Sequence, residues 1–297
     1  EVFRVEQTDP VKRELALKII KPGMDSREVI ARFEGERQAL ALMDHPHIAQ
    51  VHDAGTTETG RPYFVMELVR GKPITTFCER KQLSVSERLI LFQKVCAAVQ
   101  HAHQKGIIHR DLKPSNIVIA TDEVTGEAVP KIIDFGIAKS LQGPLTDQTL
   151  VTQREVLLGT PAYMSPEQLE FGSENLDTRT DIYALGILLY ELLVGVQPFE
   201  RKTLERAAFA EVQRIIREVE PPKPSDRVRT LGHSVGTVSG ARTMATPALE
   251  RVLRGDLDWI VMKAIEKERD RRYQGTGDLV EDIRRYLEDR PVEAGPP

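Results

Sequence analysis

The sequence predicts an α+β fold, with strands gathered ahead of helices, and three observations carry that prediction. Apolar runs of strand length fall at Val2–Val5, Leu15–Ile20 and Tyr63–Glu67, all before residue 70. Stripes at helical spacing dominate afterwards, over 85–103, 181–194, 256–267 and 278–287. After the first of these helical stripes lies 106–136, GIIHRDLKPSNIVIATDEVTGEAVPKIIDFG, where Ile117–Ile119 and Lys131–Ile133 flank a segment rich in Thr, Gly, Asp and Glu. That reads as strand, loop, strand. Asp111, Lys113 and Asn116 stand just ahead of the first strand and Asp134 just past the second, so a hairpin brings them to one spot. Two carboxylates, an ammonium and a carboxamide suit divalent-metal and phosphate chemistry better than packing.

A chain of 297 residues can bury a full core as one large domain or two lobes. With 40% hydrophobic residues, 29% charged and a net charge of -4, its balance is ordinary and does not suggest an electrostatic nucleic-acid binder. Cys78 and Cys96 fall in helix-like segments without a CxxC partner, which argues against a disulfide framework and for a reducing, cytoplasmic setting. No apolar run has membrane-spanning length and no signal peptide is visible. The first residue is not Met and the chain opens in a strand, so it is expected to begin inside a domain.

His109-Arg110-Asp111-Leu112-Lys113-Pro114-Ser115-Asn116, followed by Asp134-Phe135-Gly136, resembles the catalytic and metal-binding loops of the eukaryotic-type protein kinases, here a bacterial serine/threonine kinase domain. The resemblance runs over essentially the whole chain. It implies a protein-kinase-like two-lobed fold: a small antiparallel sheet with one helix, then a larger, mainly helical lobe, with ATP and Mg²⁺ between them. The expected division is 1–69 for the first lobe, 70–289 for the second and 290–297 for the start of a linker.

In the first lobe, Leu15-Ala16-Leu17-Lys18 resembles the family's V-A-I-K strand, whose lysine holds the α- and β-phosphates. A helix is expected over 26–43 with Asp25 or Ser26 as N-cap, and Val29, Phe33, Leu40 and Met43 share one face. Glu36 lies in the middle of that face, and a buried carboxylate needs a partner. Lys18 is the nearest candidate, as in the family's Lys–Glu pair. The family's G-x-G-x-x-G-x-V loop is missing: setting Val2 as its final Val places all three glycines ahead of residue 1. A truncated record, or weak ATP binding, follows from that. Asp44, His45, His47, His52 and Asp53 invite a metal reading, but a turn after the helix explains them more simply. By resemblance Met66 is the gatekeeper behind adenine, backbone groups near Glu67 and Val69 bind the base, and Val2 and Ala16 complete the nucleotide contacts.

In the second lobe, Ser84-Val85-Ser86-Glu87 fits a capping box. The helix it opens carries Val85, Leu89, Phe92, Cys96, Val99 and His103 on one stripe and ends at Lys105-Gly106. His101 and His103 read as helix surface and helix edge. The resemblance makes Asp111 the acceptor of the substrate hydroxyl proton and Lys113 the cation beside the transferred phosphoryl. It makes Asn116 and Asp134 the Mg²⁺ ligands, and gives Arg110 to an activation-loop phosphate, with Thr146, Thr149 and Thr152 nearby. His109 reads as a packing residue.

Gly159-Thr160-Pro161-Ala162-Tyr163-Met164-Ser165-Pro166-Glu167 resembles the family's G-T-x-x-Y-x-[AS]-P-E segment. Thr160 would shape the hydroxyl site and Glu167 would pair with Arg272. The 181–194 helix is apolar almost all round, and Asp181 at its start would brace the catalytic loop. Residues 221–248 shift to Pro, Ser, Thr, Gly and Arg and read as an excursion between helices. The basic cluster 263–272, interleaved with Glu266, Glu268 and Asp270, reads as a solvated helix face.

The expected function is a protein serine/threonine kinase acting on Ser and Thr of proteins, with autophosphorylation in the activation loop, no nucleic acid partner and no membrane segment within this chain. A small-molecule phosphotransferase of the same fold has no need of the 159–167 segment. A pseudokinase acting as a binding module is the alternative that the missing glycines favour and the retained Lys18, Glu36, Asp111, Asn116 and Asp134 oppose.

Overall fold

The computed structural model describes residues 1–9, 11–20, 43–122, 125–135, 161–170, 176–200, 203–204, 207–234 and 245–295. Four antiparallel strands form the first lobe's sheet in the order β1-β2-β4-β3: β1 Val2–Gln7, β2 Arg13–Ile19, β3 Val51–Thr56 and β4 Pro62–Glu67. Lys18 lies on β2, opposite Val2 of β1 and Phe64 of β4, so it comes from inside the sheet and not from its edge. The expected helix over 26–43 falls outside the described residues, apart from Met43, which is buried.

A three-stranded sheet joins the lobes: β5 Lys72–Pro73, β6 Ile117–Thr121 and β7 Ala128–Ile132. β6 and β7 are the hairpin the apolar runs predict, with Ile117 opposite Ile132. The segment before β3 adds to this sheet through a parallel bridge from Ile48 to Ile132, so the first lobe is stitched to β7 by backbone. Gly71 allows the chain to cross close to β6. A Cβ there would stand 2.2 Å from the carbonyl oxygen of Ile119, inside any tolerable contact.

The helical lobe follows with α1 Ile74–Arg80 and α2 Val85–Gln104. The Ser84–Glu87 capping box forms as its spacing predicts. At the centre is α3, Arg179–Val194, whose residues from Thr180 to Val194 are all buried except Glu191. Gly186 lets α3 approach a later helix, since a Cβ would meet that of Ala264 at 2.8 Å. Around it pack α4 Phe209–Glu218, α5 Pro224–Ser234, α6 Thr246–Leu253, α7 Asp256–Ala264 and α8 Thr276–Leu287.

Two expectations change here. The composition of 221–248 predicts an excursion, yet α5 occupies 224–234. Pro224 stands in its first turn, where a missing N–H costs nothing. Ser225 is buried, its N–H and hydroxyl donating to Asp258 at 2.9 and 2.6 Å, and Val228 fills the core. The 263–272 stretch is a solvated face only in part: Glu268, Asp270 and Arg271 are exposed, but two of its cations are not. Lys267 donates to the carbonyl of Ile216 at 2.6 Å and lies over the Phe199 ring, and burial lowers its pKa to about 8. Arg272 is enclosed altogether. Their partners lie far off in sequence, out of reach of any local charge pattern.

Past α8, Glu293 and Ala294 donate their N–H groups to Asp282 at 2.6 and 2.9 Å, and Ala294 is buried.

Candidate active site

The catalytic loop hangs from the first turn of α3. Asp181 is fully buried and accepts three hydrogen bonds: from His109 N–H at 2.7 Å, from Arg110 N–H at 2.8 Å and from His103 Nε2 at 2.8 Å. Burial alone would raise its pKa, but the hydrogen bond and charge of His103, then His109, hold it below the usual range. The brace expected from Asp181 is therefore present. His103 is a correction: its side chain is 6% exposed and engaged, because the helix edge it occupies is covered by the start of α3.

His109 packs as predicted, fully buried with its ring 4.6 Å from that of Phe135. Its Nδ1 accepts the N–H of Asp111 at 3.3 Å, and burial pushes its pKa down. Arg110 adopts a left-handed backbone, φ 63°, and Asp134 does the same at φ 63°. Side chains other than glycine hold that conformation only where the surroundings impose it, and such residues concentrate at functional sites.

The groups the sequence singles out then meet. Asp111 Oδ2 accepts from Lys113 Nζ at 2.7 Å and from Asn116 Nδ2 at 3.1 Å. Asn116 sits at the end of the short turn Pro114–Asn116, and its amide also donates to the carbonyl of Asp111 at 2.9 Å. The backbone carbonyl of Asn116 accepts from Ile133 N–H at 2.8 Å, which places the start of β6 beside Asp134. Lys18 Nζ reaches across from the first lobe and pairs with the Asp134 carboxylate. The side chains are 15% and 33% exposed, so the pair is partly open to solvent.

Glu36, Gly136, Thr146, Thr149, Thr152, Gly159 and Thr160 lie outside the described residues. Ala16 is buried and pairs with Met66 in the β2–β4 register. Val2 sits opposite Lys18 but is 66% exposed. Glu67 donates its N–H to Gln50 at 2.8 Å, and its carboxylate accepts from Lys131 Nζ at 3.0 Å, while Val69 is half-buried. Lys131 is a contact that sequence reasoning missed.

Among the described residues no three His, Cys, Asp or Glu side chains converge as a metal cage. His45 instead packs its ring against His47 and His101, at 5.5 and 5.3 Å between centroids. The candidate oxygen donors are the carboxamide of Asn116, whose amide nitrogen bonds Asp111, and the carboxylate of Asp134, paired with Lys18. That hard, sparse donor set fits Mg²⁺, which takes one or two protein ligands and completes its shell with water and phosphate oxygens.

Below this cluster, Glu167 and Arg272 form the predicted pair, Nη1 to Oε1 at 2.7 Å and Nη2 to Oε2 at 2.9 Å, with side chains 7% and 0% exposed. Burial opposes the charge of Glu167, but the hydrogen bonds and charge of Arg272 hold its carboxyl below the usual range.

Residues 1–272 match the family described as the protein kinase domain. Serine/threonine-protein kinase PknB of Mycobacterium leprae is 32% identical over 287 residues, covering 95% of this chain and 40% of that protein. Serine/threonine-protein kinase PknA of Mycobacterium tuberculosis is 37% identical over 220 residues, covering 72% of this chain and 47% of that protein. The chain thus spans less than half the length of these curated relatives. The solved kinase domain of Mycobacterium tuberculosis PknI shares its fold, with a TM-score of 0.65 at 24% identity over 97% of this chain and 90% of that one. The chain belongs to the protein kinase domain family.

Proposed function

We propose that this domain transfers the γ-phosphoryl group of ATP to serine and threonine hydroxyls of proteins. The observation that carries the reading is the carboxylate of Asp111, held by Lys113 and Asn116, with the backbone of Asn116 bonded to Ile133 next to the Asp134 that Lys18 pairs with. In the transfer, the hydroxyl oxygen forms a bond to phosphorus as the bond to the ADP leaving oxygen breaks, and Asp111 takes the hydroxyl proton. Lys113 stands beside that carboxylate, where its charge offsets the negative charge on the moving phosphoryl. Lys18 exchanges its pairing with Asp134 for the α- and β-phosphates. Asn116 and Asp134 would hold Mg²⁺, which neutralises the β- and γ-phosphate oxygens when bound. Met66, Glu67 and Val69 would receive adenine, with Ala16 and Val2 above it and Glu36 supporting Lys18.

The division into 1–69 and 70–289, with a linker from 290, belongs to the same reading. Two free, buried cysteines, Cys78 and Cys96, are in keeping with a reducing, cytoplasmic compartment. No helix among the described residues is long and apolar enough to cross a membrane. Incubation with radiolabelled ATP, Mg²⁺ and a generic protein substrate tests the proposal. Label on Ser or Thr that falls at least ~10²-fold in Asp111→Asn is expected. Label undiminished in that variant overturns it.

A further inference from the structure

The strained backbone at Arg110 is clamped from two directions. Its N–H is taken by Asp181 from α3, as described above. Its carbonyl, one peptide ahead of Asp111, accepts from Gln168 Nε2 at 2.8 Å. The other end of the same amide is also engaged: Gln168 Oε1 accepts from the N–H of Ser165 at 3.0 Å and from its hydroxyl at 3.4 Å. An N–H needs an oxygen and a carbonyl needs an N–H, so both partners fix the amide in one orientation.

The turn that carries Gln168, Pro166–Leu169, is itself anchored in the core. Ser165 and Leu169 are buried, and Glu167 between them is locked to Arg272. Gln168 is thus a rigid strut from the end of the activation segment to the peptide that aims Asp111. We propose that Gln168 is a positioning residue for phosphoryl transfer, holding the Arg110–Asp111 peptide in its productive orientation. This rests on the kinase reading above. It adds a coupling: order at the end of the activation segment is passed to the catalytic carboxylate through one side-chain amide.

Two variants of the full chain separate the strut from mere packing. Gln168→Glu keeps an acceptor for Ser165 and loses the donor to Arg110, whereas Gln168→Met keeps the length and loses both. With Mg·ATP and a generic protein substrate, kcat is expected to fall about tenfold in each, the scale of one lost hydrogen bond to a buried carbonyl. KM for ATP stays at its wild-type value, while the melting temperature of Gln168→Glu drops only by the few degrees that one lost hydrogen bond costs. Hydrogen exchange of the amides in 109–113 speeds up in both variants, a readout independent of activity. Unchanged exchange in both variants overturns the inference, as does an unchanged kcat beside an active wild type. A wild type without Asp111-dependent transfer defeats the kinase reading instead, and the exchange measurement still judges the strut.

Discussion

The two lobes hold their contributions to the cleft in opposite ways. In the strand lobe β1 is largely exposed, Val2 and Phe3 face solvent, and the ion pairs Arg4–Glu14–Arg70 and Lys12–Glu6 lie on the surface. Its chemical contribution among the described residues is Lys18, paired with Asp134 at the cleft's edge. In the helical lobe Asp111 is aimed by a loop whose backbone is bonded to a fully buried aspartate, and the turn below it is tied down by a buried arginine. On the proposed reading the contrast is a division of labour. A proton acceptor has to be placed to a fraction of an ångström, and the loop that aims Asp111 is anchored by buried contacts. A cation that would meet a phosphate only when nucleotide arrives can be held by a more accessible, replaceable partner, Asp134.

The largest expected effect lies in the buried half. Arg272→Ala leaves the Glu167 carboxylate enclosed without its cation and is expected to cost about 3–5 kcal/mol in chemical denaturation. Arg4→Ala, its exposed counterpart, leaves the denaturation midpoint where it was. Equal losses from the two would erase the contrast between the lobes.

A smaller effect comes from pH. Burial lowers the pKa of His109 in the helical lobe and of His45, His47 and His52 near the junction. The unfolded chain therefore binds more protons than the folded one once pH drops below about 6.5. Stability should hold above that pH and decline as it falls from about 6.5 toward 5. Asp181 and Glu167, whose folded pKa values are lowered, add a second loss only when pH falls below their ordinary carboxylate range. Melting curves across that span check the order, and a midpoint constant from pH 8 to 5 contradicts it.

Much of this site was legible in the sequence because its parts are local or belong to a family pattern. The β6–β7 hairpin, the Ser84–Glu87 cap and the meeting of Asp111, Lys113 and Asn116 each need only short spacings. The pairs Asp181 to the loop and Glu167 to Arg272 are long-range, and only the kinase resemblance pointed to them. What escaped was tertiary and specific to this chain. His103 looked like a helix edge because nothing local says that α3 covers it. Helix α5 was hidden by a composition of Pro, Ser and Arg, since Asp258, which satisfies Ser225, lies 33 residues away. Gln168 did carry a signal: Ser165-Pro166-Glu167-Gln168 has the spacing of a capping box, and the half in which Gln168 accepts from the Ser165 N–H forms. Its second partner, Arg110, could not be read from spacing.

The most direct test of the account is whether Lys18 and Asp134 act on nucleotide as one unit. Mg·ATP affinity would be measured for Lys18→Met, Asp134→Asn and the double variant. Each single change is expected to weaken binding roughly tenfold or more, and the double variant to be little weaker than the poorer single one, because the two groups share one cleft. Losses that simply multiply, or affinities that do not change, would place the lysine and the aspartate in separate sites and contradict the account.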